Sequence, residues 1–165
     1  MEDRPRIKLT LSGFDKNLDM LGYVLFFIMW ALTIYVFVKL PPIIPTHFGM
    51  SGKPDDYGRK ETLLLIPIIG TIIFFGITQL SKYPHIFNYT VRITEENAAR
   101  QYGSAVKIFR FLKVSIMIIL TTIILITYLT VIGKSDGPGS WFLPMTFALL
   151  LIPTIVMVVK SFKDN

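Results

Sequence analysis

The sequence predicts an all-α integral membrane protein: a four-helix bundle with both termini in the cytoplasm. Hydrophobic residues make up 52% of the chain and charged residues 17%, with a mean hydropathy of +0.56. Soluble domains usually carry about a quarter charged residues. The charge is also segregated, because residues 20–38, 62–81, 114–133 and 137–159 contain no Asp, Glu, Lys or Arg. Each run reaches the roughly 20 residues needed to cross a hydrocarbon core of about 30 Å. No face of these runs is polar enough to meet water, which excludes a soluble bundle. Orientation follows from the basic residues. Twelve lie in the N-terminal tail, in residues 82–113 and at the C-terminal end, against five in the two remaining loops. The positive-inside rule therefore places residues 40–61 outside.

The predicted spans, about 18–39, 62–81, 112–133 and 140–160, belong to one domain covering residues 1–165. The first seventeen residues are polar, mixed in charge and expected to be mobile. Nineteen residues precede the first apolar run and no small-residue cleavage site follows it, unlike a signal peptide. Pro41-Pro42 stops span one, and Pro67 lies in the first turns of span two. Thr94, followed by Glu95 and Glu96, reads as a capped helix start. From there Ala98, Tyr102, Val106, Phe109 and Leu112 recur at helical spacing. Arg100, Lys107, Arg110 and Lys113 occupy much of the opposite side. This segment is predicted to be a basic amphipathic interfacial helix before the third span, its four cations binding lipid phosphates rather than nucleic acid. A continuous helix from Glu95 to Ile132 would reach about 57 Å, with Gly103 as a place to bend. Residues 134–139 make a tight turn, so spans three and four are antiparallel neighbours, and Trp141 anchors the outer interface.

The outward loop carries the candidate site. Residues 41–60 hold four of the ten prolines, three glycines, one of two histidines and the adjacent acids Asp55 and Asp56. Turn-forming residues at this density fix a backbone shape that can place side chains for recognition. Pro45, Thr46, His47, Phe48, Asp55, Asp56, Tyr57 and Lys60 are the expected partner-binding residues, with Phe48 and Tyr57 supplying apolar contact. His47, Asp55 and Asp56 could supply nitrogen and oxygen ligands to a divalent ion, but no repeated-His spacing is present and metal binding is not the expected use of these residues. The same loop also reads as a structural seal over the helix ends.

No cofactor is expected, and the absence of cysteine removes thiol catalysis and disulfides. Enzyme activity is not expected either, since Ser51 and His47 are near only in sequence and His85 belongs to the opposite side. The polar groups of the charge-free runs include Tyr23, Thr33, Tyr35, Thr71, Thr78, Gln79, Thr121, Thr122, Thr127, Tyr128 and Thr130, with no acid, base or histidine among them. Bonds between helices are the simpler use of these.

Ile44-Pro45-Thr46-His47-Phe48, then Gly52, Pro54-Asp55, Tyr57-Gly58 and Lys60, with Pro67 in the following span, resembles the signature of a bacterial membrane domain of unknown function. That domain also forms the N-terminal part of SdpI-type toxin immunity proteins. Tyr83-Pro84, Asn88-Tyr89, Glu95-Glu96-Asn97 and Arg100-Gln101-Tyr102 are similar to the four-span members of that family, so the likeness covers about residues 20–113. Family members often carry Asn where this chain has Gly49. The resemblance implies a non-catalytic protein of the bacterial cytoplasmic membrane. It would give immunity against, or sense, an extracellular peptide or envelope component. Two alternatives stay open: a small oligomeric transporter or channel subunit, working as a homodimer, and a membrane scaffold docking a cytoplasmic regulator through residues 82–113.

Overall fold

The computed structural model describes residues 4–163, ordered as four helices with a two-stranded hairpin between the first and second. Helix α1 spans Gly13–Lys39, strands β1 and β2 span Ile43–Phe48 and Pro54–Arg59, and α2 spans Leu65–Leu80 after a 3-10 turn, Lys60–Leu64. Helix α3 spans Glu95–Val131 and α4 spans Phe142–Lys163. The Lys160 and Lys163 side chains, part of the basic count above, lie outside the description.

Helix α1 starts earlier than the apolar run because Ser12 and Asp15 form a capping box. The Ser12 Oγ accepts from the Asp15 amide, and the Asp15 carboxylate accepts from the Ser12 amide at 3.0 Å. At its other end Leu40 is extended and Pro41-Pro42 follows, as expected. Thr94 caps α3 in the same reciprocal way with Asn97, and 37 residues run without a break through Gly103. At 1.5 Å per residue this helix is about 55 Å long.

Helix α3 is the spine of the bundle. It packs most extensively on α1, then on α4 and α2, whereas α2 and α4 make no substantial contact with each other. The core joins Met29 and Val36 of α1, Phe74 of α2, and Met117 and Ile124 of α3 to Ile44 of the hairpin. Hydrogen bonds between helices include one from Trp30 to Thr71 Oγ1 at 3.0 Å and one from Ser115 Oγ to the Leu149 carbonyl at 2.9 Å. Most helix threonines turn back to the carbonyl four residues earlier, as Thr33, Thr71, Thr78, Thr121, Thr122, Thr130 and Thr154 do.

The three helical segments Gly13–Lys39, Lys60–Leu80 and Glu95–Val131 are long and apolar enough to cross a membrane. Large apolar side chains stand exposed along them, among them Phe27, Ile34, Val38 and Ile72, and along α4 at Phe147, Ile152 and Val156. Lipid contact is the environment that such surfaces suit.

Two expectations are corrected. The fold is not wholly helical, since residues 43–59 pair as an antiparallel sheet with register irregularities around His47. The N-terminal tail is fastened down from Arg4 onward. Arg4 donates to the Phe87 carbonyl at 2.5 Å and the His85 carbonyl at 3.1 Å, and its guanidinium lies over the Tyr89 ring. Tyr102 Oη donates to the Pro5 carbonyl at 3.1 Å.

Candidate functional site

A short hairpin made of Pro, Gly and polar residues has little apolar area to hold it in place, so it must be tied. At its base the Lys60 amide donates to the Pro42 carbonyl at 2.9 Å. The Lys60 ammonium donates to the Phe37 and Leu40 carbonyls at 3.2 and 3.3 Å, where it meets the negative end of the α1 dipole. At its tip Gly52, with φ +75°, lies against the turn between α3 and α4. A Cβ on Gly52 would strike the Gly139 backbone, and one on Gly137 would strike the Gly52 carbonyl oxygen. Only glycine permits both the conformation and the approach. The hairpin therefore bridges from the end of α1 to the start of α4.

Beneath this bridge is a cavity of about 590 Å³. The hairpin roofs it with Ile44, Pro45, Thr46, His47 and Phe48. Thr62 and Leu63 of the 3-10 turn with Leu65 and Ile66 of α2 form one wall, and Phe142 and Leu143 of α4 form the other. Ile123, Ile126 and Thr127 of α3 are the floor. The cavity exists because α2 and α4 both lean on α3 and not on each other. Mostly apolar walls with a few polar groups are the usual make-up of a ligand pocket.

Those polar groups differ in availability. Thr62 Oγ1 donates to the Arg59 carbonyl at 2.8 Å. At the rim His47 Nδ1 lies 2.5 Å from Asp55 Oδ1, both side chains more than half exposed. A Cβ on Gly49 would come within 2.7 Å of Asp55 Oδ2, so the glycine at this position leaves room for the carboxylate. Thr127 is 3% exposed, and unlike most helix threonines its hydroxyl makes no hydrogen bond among the described residues.

The sequence-selected residues divide. His47 and Asp55 are brought together across the hairpin, and Pro45, Thr46 and Phe48 line the cavity. Asp56 turns away to accept from the Tyr57 amide at 2.9 Å, and Tyr57 is exposed. Lys60 is engaged by the end of α1. Among the described residues no three His, Cys, Asp or Glu side chains cluster as a metal site.

At the opposite end of the bundle the four basic residues also divide. Arg100 is exposed, and Lys107 lies over the Phe14 ring at 5.9 Å. Arg110 and Lys113, expected at lipid phosphates, point into the bundle instead. Arg110 Nε donates to Asp19 Oδ2 at 3.0 Å, and its Nη1 lies 3.6 Å from Asp15 Oδ1. Lys113, 2% exposed, donates to Asp19 Oδ1 at 2.9 Å and sits over the Phe74 ring. The helical spacing of Arg110 and Lys113 mirrors that of Asp15 and Asp19, three and four residues apart, and this was the overlooked signal. Thr127 left no comparable signal, being one threonine among many.

Fold and site together define a helical protein with three helices fit to cross a membrane and a hairpin-roofed cavity at one end. Residues 24–71, which run from α1 through the hairpin into α2, match the model of a family described as a domain of unknown function, DUF1648. An uncharacterized protein of Archaeoglobus fulgidus is 33% identical over 86 residues, an alignment covering 47% of each chain. The chain thus matches about half the length of this relative. No solved structure matches.

Proposed function

We propose that the protein is a non-enzymatic, four-span protein of a cytoplasmic membrane, with N and C termini inside. In this reading the hairpin faces outward and recognises an extracytoplasmic envelope component. The observation that carries it is the cavity itself: a pocket of about 590 Å³, apolar in its walls, under a hairpin tied at base and tip. A hairpin serving only as a seal would close onto the helix ends and leave no such volume. The His47–Asp55 pair marks the polar rim where a ligand would be met first. Immunity or sensing in the manner of the SdpI relatives rests on the loop resemblance and is the physiological form proposed here.

The test compares a deletion strain with strains carrying His47→Ala and Asp55→Ala, each challenged with membrane-active peptides. Both variants are expected to accumulate normally and to reproduce the sensitivity of the deletion. Variants that accumulate normally and protect as the wild type does would reduce the hairpin to a seal.

A further inference from the structure

We infer that the cavity is a lipid site, holding one acyl chain of an outer-leaflet glycerolipid with its ester carbonyl accepting a hydrogen bond from Thr127. The inference deepens the proposed reading by naming the class of envelope component, and it rests on the outward placement of the hairpin.

Water is a poor occupant. A buried water needs two to four polar partners. Here the Thr62 hydroxyl and His47 Nδ1 already have partners and Thr46 is exposed at the rim, which leaves Thr127 as the one unengaged hydroxyl in the floor. An extended peptide is a poor occupant too, because each residue brings an amide donor and acceptor that an apolar site must satisfy. An acyl chain brings no polar atoms along its length and a single carbonyl at its head. One chain and one acceptor correspond to what the cavity offers: Leu65, Ile66, Ile123, Ile126 and Leu143 around one unpartnered hydroxyl.

Depth agrees. Thr127 lies four residues, about 6 Å, before the end of α3 at Val131. With the end of α3 at the outer edge of an interfacial zone roughly 5–8 Å thick, the hydroxyl falls near the level of the ester groups. Access agrees as well. The cavity walls belong to α2 and α4, which do not pack together, so a chain can enter sideways from the bilayer without lifting the hairpin.

The experiment uses the full chain in vesicles of phosphatidylethanolamine and phosphatidylglycerol. A small fraction of the phosphatidylglycerol carries a diazirine on one acyl chain, and cross-linked residues are mapped by mass spectrometry. Labelling is expected to concentrate on Ile66, Ile123 and Ile126 over the exposed flanks at Ile72 and Ile155. Leu143 is 48% exposed, so Leu143→Trp adds bulk at the cavity wall without opening the core, and should cut cavity labelling at least five-fold while the flanks stay unchanged. Thr127→Val keeps the shape and removes the donor, and should lower it roughly two- to ten-fold, the worth of one hydrogen bond. Even labelling of cavity and flanks, or cavity labelling untouched by either variant, overturns the inference. Loss of the His47 and Asp55 phenotypes with cavity labelling intact would instead remove the recognition reading, so the two failures are told apart.

Discussion

Asp19 is the residue on which most depends at the bundle end opposite the hairpin. Its carboxylate serves Arg110 and Lys113 together, and Lys113 is almost wholly buried. Removing one partner of a buried pair leaves an uncompensated charge, at a cost of about 3–5 kcal/mol. Asp19→Ala should therefore lower stability in detergent by about 3 kcal/mol, measured by thermal unfolding, and pairing it with Lys113→Met should recover part of that loss. The His47–Asp55 pair is the contrasting case. Both side chains are exposed, exposed pairs contribute at most about 1 kcal/mol, and Asp55→Ala should scarcely move the same melt. If Asp55 matters, it matters for function. Tyr89 gives a pH signature. Burial pushes its phenol above the ordinary value of 10.0, helped by Tyr102 and opposed by Arg4. A folded-state pKa that is raised contributes stability fully present below pH 10 and lost as pH rises through the folded value. The wild type should destabilise in alkali above pH 10, and Tyr89→Phe should flatten that limb.

Among the elements the hairpin was the hardest to read from sequence. Proline and glycine at positions 45, 49, 52, 54 and 58 are poor strand residues, yet Ile43–Phe48 and Pro54–Arg59 pair, with irregularities around His47 absorbing the misfit. The tertiary ties supply what local propensity lacks. Because Gly52 touches Gly139, Gly52→Val should free the tip, and thermolysin should cut before the exposed Met50 much faster than in the wild type. Unchanged cleavage would mean that the contact does not hold the roof down. Helices α1 to α3 were legible because charge-free runs, Pro41-Pro42 and Thr94 state where they lie and end. The facing of Arg110 and Lys113 was not. A basic stripe on one helix says nothing about acids ninety positions away until α1 is laid beside α3.

For the whole molecule, α3 is the spine, and the space left between α2 and α4 under the hairpin is the candidate site. That space could not be read from residue order, since it results from which helices pack closely and which do not. The reading of the site as outward-facing depends on topology, which rests on the count of basic residues at the two ends. The chain contains no cysteine, so single cysteines can report topology directly. Met50 is 92% exposed at the hairpin tip and Glu96 is exposed at the opposite end. In intact cells a membrane-impermeant maleimide should label Met50→Cys and should reach Glu96→Cys only after the membrane is opened. Labelling of Glu96→Cys in intact cells, with Met50→Cys protected, would contradict the outward-facing site.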